Sequence, residues 1–312
     1  MNITLLYIVL TILALITSSI LFWLASSRKY QSSSSVANAY DQWTNDYLLE
    51  KLWGEHIHLG YYPRSSHKED FRQAKVELVH QLIKWSGLIN LPPGSRVIDV
   101  GCGIGGSSRI LAKDYGFDVL GITISPEQVR RAAELTPENL SCRFEVMDAM
   151  KLNIQKGSFD GVFSIEAGPH MPDKQLYADE MLRVLRPGGI LVVADWNIRD
   201  PSEGLMNILE RLIVRQLLTQ WAHPEFSSIQ GFKQNLLNSK YIGGYVEVDD
   251  WTSYTVFSWI DSILEGLRRP DVTILSGPIN LFKSIRELPT ILLMNWAFSS
   301  GLMKFGVFSA RG

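Results

Sequence analysis

Between residues 96 and 195, short apolar runs alternate with runs of helical spacing, and this alternation constrains the fold more than any other feature. The apolar runs have five to seven residues, the usual length of a buried strand. Such alternation predicts an α/β fold, with helices on both faces of a parallel sheet. The predicted strands read RVIDV, FDVLGI, CRFEV, FDGVFSI and GILVVAD.

The sequence on either side of this region predicts further helices and two more strands. Upstream, residues 69–87 have helical spacing and stop at Gly87. Downstream, we expect a long helix over 203–221, a strand near YVEVDDW and a returning strand at FGVFSA.

The composition excludes several classes of protein. The net charge is -2, so there is no basic surface to favour nucleic acid as a partner. Cys102 and Cys142 are too few for a disulfide framework and lack metal-site spacing, which favours a reducing compartment and no bound metal.

Residues 3–25 form an uncharged apolar run, which predicts a membrane-anchoring helix. A signal peptide is the alternative, but no basic residue precedes the run and no clear cleavage site follows it. Arg28 and Lys29 follow the run, and the positive-inside rule then places the rest of the chain in the cytoplasm.

Gly101, Gly103 and Gly106 spell G-x-G-x-x-G after the first strand, a pattern shared by several nucleotide-binding turns. A dinucleotide would bring its pyrophosphate close to Asp99, whose charge would oppose binding. A cationic ligand such as S-adenosylmethionine would be attracted instead, although Asp99 bracing the loop is the structural alternative. The next strand ends at Thr123, where a ribose-binding acid is usual, and this disfavours NAD.

After the third strand, EVMDAMKL places Asp148 and Ala149 where a carboxylate and a backbone N–H could hold an adenine ring. A helix or turn cap is the alternative role for Asp148. An R-P-G-G turn then leads into the fifth strand.

The order D-x-G-C-G-x-G, acid-Ala and R-P-G-G is similar to class I S-adenosylmethionine methyltransferases, which have a Rossmann-like sheet. WGEHIHLGYY, SIEAGPHMPDK and RELPTILLM further resemble the tocopherol methyltransferase family. This resemblance implies methylation of a ring carbon of a prenylated hydroquinone, 2-methyl-6-phytyl-1,4-benzoquinol, with its solanesyl analogue as a second substrate. It also implies a cyanobacterial plasma or thylakoid membrane as the location.

The motifs and the resemblance together assign S-adenosylmethionine as the methyl donor. Its predicted binding residues are Asp99, Gly101, Cys102, Gly103, Thr123, Asp148, Ala149 and Glu166.

Ring methylation needs a base that removes the phenolic proton. His170 and Glu166 follow the fourth strand at the ligand-binding end of the sheet, and His58 in WGEHIHLG is the next candidate, beside His56. Contact of Glu166 with the cofactor ammonium, and a capping role for one histidine of that motif, are the alternatives. His67, His80 and His223 are assigned to the surface or to packing, and Trp53 and Tyr61 to a lid or to the core.

The apolar segment after YVEVDDW has helical spacing from Phe257 to Leu267 and again from Leu281. It predicts either a core-facing helix pair or a cap that receives a prenyl tail and rests on the bilayer. A second span over 289–303 is too short. We expect four regions: an anchor over 1–29, a linker with cap helices over 30–91, a cofactor-binding core over 92–200, and a substrate cap with closing strands over 201–312.

Two other functions are compatible with these features. One is methylation of γ-tocopherol on the same scaffold, although the family's γ-tocopherol branch tends to read E-S-G-E-H-M where this chain has E-A-G-P-H-M. The other is a non-catalytic, membrane-tethered nucleoside-binding protein, which the intact Asp99, Gly101, Gly103 and Asp148 disfavour.

Overall fold

A seven-stranded sheet forms the centre of the computed structural model, which describes residues 3–25, 30–63 and 70–312. The spatial order of the strands is β3-β2-β1-β4-β5-β7-β6. The strands are β1 Arg96–Val100, β2 Asp118–Thr123, β3 Cys142–Val146, β4 Phe159–Ile165, β5 Leu185–Ile198, β6 Val246–Asp250 and β7 Met303–Arg311.

The predicted α/β class is confirmed, but the sheet is mixed and not wholly parallel. Strands β1 to β5 run parallel to one another. The last strand returns from a long helix and inserts between β5 and β6, so that it pairs antiparallel with both. Its pairing with β5 is long, from Ile190 opposite Arg311 to Ile198 opposite Met303. Strand β6 then forms the edge of the sheet.

Helices surround the sheet and the cavity beside it. They are α1 Ile3–Ala25, α2 Ser33–Asn45, α3 Leu48–Trp53, α4 Phe71–Trp85, α5 Gly106–Tyr115, α6 Pro126–Leu135, α7 Lys174–Val184, α8 Ile208–Gln220, α9 Ile229–Leu237, α10 Thr252–Thr255, α11 Phe257–Arg268, α12 Pro270–Thr273 and α13 Pro278–Ser299. Short 3-10 turns lie at Leu88–Asn90, Gly168–His170 and Pro201–Glu203.

Two apolar clusters pack on opposite faces of the sheet, because neighbouring side chains in a strand point to opposite sides. Val97 of β1 belongs to the cluster that contains residues of α4, α5, α8 and α13. Ile98, the next residue, belongs to the cluster that contains residues of α7 and α9. Helices therefore cover both faces, as the alternating pattern predicts.

The helix predicted over 203–221 begins later, at Ile208. Asn207 caps it: its side chain accepts the Glu210 N–H, and the Glu210 side chain in turn accepts the Asn207 N–H. Such a reciprocal cap marks the start of a helix. The residues before it form a 3-10 turn at Pro201–Glu203, where the Asp200 carboxylate accepts the Ser202 N–H.

The predicted membrane anchor over 1–29 is wrong, and with it the predicted location as a membrane-anchored protein. Among the residues that the structure describes, no helix combines the length and the apolarity needed to cross a membrane. The end of α1 packs on the protein: Trp23 donates its indole N–H to Thr290, and Gln220 donates to the Trp23 carbonyl. Arg28, Lys29 and His67 lie outside the described residues.

Candidate active site

One cavity of about 560 Å³ lies at the carboxyl ends of β1, β2 and β4 and continues between α11 and α13. The Gly loop, defined here as residues 101–106, forms one end of it. Carboxyl ends of parallel strands are the usual ligand site of an open α/β sheet. The predicted cofactor residues, namely Asp99, Gly101, Cys102, Gly103, Thr123, Asp148, Ala149 and Glu166, all line this cavity.

The Gly loop needs glycine for two separate reasons. Gly101 and Gly103 have φ angles of +79° and +56°, in the left-handed region that side chains rarely adopt. A Cβ at Gly101 would lie 2.5 Å from the Ala167 Cβ, so the loop packs tightly against the end of β4. A Cβ at Gly103 would meet no atom closer than Gln128 Nε2, at 4.0 Å. The loop is therefore open at Gly103, where a side chain would occupy space available to a ligand.

Asp99 is a buried carboxyl group beneath the Gly loop. The Ser108 hydroxyl donates to its Oδ2 atom at 2.6 Å. Burial raises the pKa of Asp99 to about 7, and the Ser108 hydrogen bond opposes that shift. A cationic ligand in the cavity would stabilise the charged form, so the site electrostatically favours a cation over a phosphate.

Thr123 hydrogen-bonds to a residue that the sequence reasoning missed. Its hydroxyl donates to Gln128 Oε1 at 2.7 Å and accepts the Ser125 N–H at 3.3 Å. Gln128 is buried and lines the cavity, so its amide group, held by Thr123, lies beside the Gly loop. The sequence contains a signal for this role of Gln128, because it is a glutamine in the first turn of a helix that begins with Ser125-Pro126.

The Asp148 carboxylate serves as a turn cap in this structure, because its Oδ1 atom accepts the Met150 N–H at 2.9 Å. That observation fits the structural alternative for this residue. Asp148 and the buried Ala149 both also line the cavity, so the capped turn presents them to a ligand in a defined orientation.

Glu166 lies at the centre of the cavity wall in a strained conformation. Its φ angle is +54°, which is uncommon for a residue with a side chain and is often found at functional sites. The Leu59 N–H donates to its Oε1 atom at 2.7 Å. Burial raises the pKa of Glu166 to about 8, although the Leu59 hydrogen bond and the Lys75 charge oppose the shift.

His170 lies on the 3-10 turn that follows β4, and its Nε2 atom is 2.8 Å from the Tyr40 hydroxyl. Its ring packs on His223, with centroids 4.3 Å apart. Burial, and then the Lys174 charge, lower the pKa of His170 to about 3, so the ring is neutral. Sequence reasoning missed Tyr40 and placed His223 at the surface or in packing, whereas both line the cavity.

A strap, residues 54–59, packs against the Gly loop, and its residues 55–59 line the cavity. The His58 Nδ1–H donates to the Leu59 carbonyl at 2.7 Å, and its Nε2 accepts from His56 Nδ1 at 3.1 Å. Burial lowers the pKa of His58 to about 3. Lys75 of α4 holds the strap from below by donating to the His56 carbonyl at 2.7 Å.

The turn that carries His170 is supported by a buried acid and a buried amine. The Gly168 N–H donates to Asp195 Oδ1 at 3.1 Å. Lys174 Nζ donates to the carbonyls of Gly168 and Met171 at 2.7 and 2.6 Å. Burial raises the pKa of Asp195, and the Lys174 charge opposes that shift. These bonds fix the turn between β4 and α7 in one conformation.

Aromatic side chains form the wall of the cavity between the turn and α11. The ring centroids of Trp196 and Trp259 are 5.3 Å apart, and Trp221 stacks on Trp259 at 6.2 Å. Of the two predicted lid residues, Trp53 lines the cavity. Tyr61 does not: it stacks on Tyr254 at 4.8 Å, within the core.

In the part of the chain that the structure describes, no group of acidic, histidine or cysteine side chains could hold a metal ion. His80 lies apart from the cavity, where its Nδ1 atom is 2.7 Å from the Tyr115 hydroxyl.

Comparison with known proteins identifies the family. A family described as "Methyltransferase domain" matches residues 98–193. The 2-methyl-6-phytyl-1,4-hydroquinone methyltransferase of Synechocystis sp. is 56% identical over 92% of this chain and 91% of its own length. The chain belongs to the tocopherol methyltransferase family. It is an S-adenosylmethionine-dependent methyltransferase.

Two further comparisons agree with that assignment. The chloroplastic tocopherol O-methyltransferase of Arabidopsis thaliana is 31% identical over 88% of this chain and 81% of its own length. The crystal structure of geranyl diphosphate C-methyltransferase from Streptomyces coelicolor, with S-adenosyl-L-homocysteine bound, has a TM-score of 0.67 at 17% identity, covering 89% of this chain and 97% of that one. The likeness to that structure concerns the fold alone, and it confirms the class I methyltransferase architecture.

Gly168→Ala tests the support of the His170 turn. A Cβ at this position would lie 1.9 Å from Asp195 Oδ2, so the carboxyl group must move and its hydrogen bond to the turn is disturbed. We expect the free energy of unfolding to fall by about 1–3 kcal/mol in urea titrations. Gly244→Ala is the control, because its nearest atom is Arg311 Cβ at 3.8 Å. Equal stability of Gly168→Ala and the unmodified protein would contradict the tight contact.

Proposed function

We propose that this protein methylates a ring carbon of a prenylated hydroquinone of the 2-methyl-6-phytyl-1,4-hydroquinone type. The observation that carries the proposal is the continuity of the cavity, which joins the Gly loop and Glu166 to an apolar chamber between α11 and α13. A hydroquinone with an isoprenoid tail has a polar ring and a long apolar chain, matching the two ends. The substrate named in the relative at 56% identity, 2-methyl-6-phytyl-1,4-hydroquinone, supports this choice of ring.

We propose that three of the four predicted regions form the active site, each with a different role. The core over 92–200 holds the cofactor, the strap and cap helices within 30–91 cover it, and 201–312 supplies the substrate chamber. Asp99, Gly101, Gly103 and Asp148 would hold the amino-acid and nucleoside parts of S-adenosylmethionine, together with Cys102, Thr123 and Ala149. The open side of Gly103 and the buried Asp99 carboxyl support this assignment.

We propose Glu166 as the base that accepts the phenolic proton. A carboxyl group with a pKa near neutrality suits this task, and a cation bound beside it would lower its pKa of about 8 towards neutrality. His170 and His58, the other two candidates, have pKa values of about 3, so their buried rings are poor bases. The Tyr40–His170 pair would orient a ring hydroxyl, and His58 would hold the strap over the site.

Deprotonation makes the carbon next to the hydroxyl nucleophilic. Bound S-adenosylmethionine supplies the electrophilic methyl group: the ring carbon forms the new bond, and the electrons of the broken carbon–sulfur bond stay on sulfur. The ring regains aromaticity when the C–H proton leaves the methylated carbon and the phenolic oxygen takes a proton back from Glu166, so the net release is one proton per turnover. The aromatic wall of Trp196, Trp221 and Trp259 would hold the ring in line with the methyl group, and such positioning contributes much of the rate.

Methylation of γ-tocopherol is the second candidate, because the Arabidopsis thaliana relative carries the name tocopherol O-methyltransferase. Its identity to this chain is 31%, against 56% for the hydroquinone enzyme, and this difference favours the hydroquinone.

The test of this function is a product assay. The purified protein is incubated with labelled S-adenosylmethionine and, separately, with 2-methyl-6-phytyl-1,4-hydroquinone, its solanesyl analogue and γ-tocopherol. We expect label at a ring carbon of the hydroquinones and little in γ-tocopherol. Label only in γ-tocopherol would reverse the order of the two candidates, and label in none would contradict both.

Asp99→Asn tests the cofactor assignment. The variant keeps the shape of the side chain but loses the charge that attracts a cationic ligand, so we expect S-adenosylmethionine to bind about 1–3 kcal/mol more weakly by calorimetry. Asp118→Asn is the matched control, because Asp118 lies at the start of β2, whereas the cavity lies at the carboxyl ends of the strands. Unchanged affinity of Asp99→Asn would leave Asp99 as a structural brace of the loop.

Glu166→Gln tests the base. The amide oxygen can still accept the Leu59 N–H, but the side chain can no longer accept a proton at neutral pH. We expect kcat to fall by about 10²–10⁴-fold. S-Adenosylmethionine affinity should fall by no more than about tenfold, because a cation that lowers the pKa of Glu166 by about one unit gains only that much from its charge. His170→Ala should lower kcat less, and His80→Ala should leave it unchanged.

Two outcomes would contradict the assignment of Glu166. One is near-normal turnover of Glu166→Gln across the range about pH 6–9, around the pKa of about 8 at this residue. The other is a loss of S-adenosylmethionine affinity with kcat retained, which would make Glu166 a cofactor ligand.

A further inference from the structure

The cavity has an apolar mouth far from the Gly loop. Four of its lining residues are also open to solvent: Leu267 is 72% exposed, Ile274 53%, Ile285 57% and Leu288 40%. A side chain that is both part of a cavity wall and exposed to this degree marks the place where the cavity opens. We call these four residues the mouth.

Two apolar stripes lead from the aromatic wall to the mouth. On α11, Trp259, Ile263 and Leu267 are spaced four residues apart, so they share one face of the helix, and all three line the cavity. From Trp259 to Leu267 the helix rises about 12 Å, at 1.5 Å per residue. On α13, Leu281, Ile285 and Leu288 line the opposite side with the same kind of spacing.

The apolar surface continues beyond the mouth. Leu275, Ile279 and Phe282 are largely exposed in the same part of the chain but do not line the cavity. The Phe282 ring contacts Phe22 of α1, with centroids 5.2 Å apart. A chain that left the cavity here would therefore keep apolar contacts outside it.

The charged residues at this end of the cavity are already paired. Glu287 lines the cavity, forms an ion pair with Arg286 and accepts the Trp221 indole N–H. Lys283 lines the cavity and forms an ion pair with Asp46 at the end of α2. The mouth therefore favours an uncharged, flexible hydrocarbon over a peptide or a phosphorylated group, each of which would need polar partners.

We propose that the isoprenoid tail of the substrate leaves the cavity through this mouth, and that Leu267, Ile274, Ile285 and Leu288 determine the preference for tail length. This inference rests on the proposed function. A single isoprene unit would end beside Trp259 and Ile263, before it reaches the mouth. A tail of four units would exceed the passage and contact the mouth, so it would gain the apolar contacts there.

Ile285→Trp tests the route, with Ile279→Trp as the matched control. Both positions are exposed residues of α13, so a larger side chain is compatible with folding. Only Ile285 lines the cavity, and a tryptophan at 279 keeps the outer surface apolar without narrowing the passage. The assay compares kcat/KM for two 2-methylhydroquinones, one with a single isoprene unit and one with four, presented in the same detergent. S-Adenosylmethionine affinity is measured in each variant.

We expect Ile285→Trp to lower kcat/KM for the four-unit substrate by about tenfold or more, because the indole obstructs the mouth. The one-unit substrate should stay within about twofold of the unmodified enzyme, and Ile279→Trp should leave both substrates within that range. An equal fall for both substrates, or no fall for the four-unit substrate, would overturn the proposed route.

The same experiment separates failure of the route from failure of the proposed function. If the unmodified protein methylates neither hydroquinone, the proposed function is wrong. The route alone is then tested by the binding of a four-unit isoprenoid alcohol, which is measured through the quenching of tryptophan fluorescence. Weaker binding to Ile285→Trp than to Ile279→Trp would support the route, and equal binding would overturn it.

Discussion

The hydrogen bond from the Leu59 N–H to Glu166 joins the strap to the segment that follows β4. Leu59 ends the strap beside the Gly loop, and Glu166 directly follows β4, before the turn that carries His170. Because Leu59 is buried, loss of this bond would leave its N–H group without a partner and away from water. The strained backbone of Glu166 is held in place by this contact and by β4, so the shape of the cavity beside the Gly loop depends on it.

Burial gives the site its chemistry. Asp99 and Glu166 have pKa values of about 7 and 8 because both carboxyl groups lie away from water. Under the proposed function, a cationic methyl donor restores the charged form of both groups. Acid groups that bind a cation and accept a proton would then need no metal, and their positions are set by the ends of β1 and β4.

Much of the fold could be predicted from the sequence, because strand and helix periods are local properties. The five strands from Arg96 to Asp195 and the Gly loop are placed by pattern alone. The antiparallel insertion of β7 is a long-range pairing that no local pattern carries. For the first helix, the local pattern was misleading. Its apolar run indicated a membrane span, whereas Trp23 and Phe22 contact α13.

In the candidate site too, local patterns could be predicted from the sequence and long-range contacts could not. Motif spacing found the residues at the strand ends, such as Asp99 and Glu166, but not Tyr40, because its contact with His170 joins residues 130 positions apart in the chain. A crystal structure with S-adenosylhomocysteine and a four-unit prenyl hydroquinone tests the shared cavity most directly. We predict the ring beside Glu166 and the tail between α11 and α13. A hydroquinone bound outside this cavity, with Glu166 remote from its ring, would contradict it.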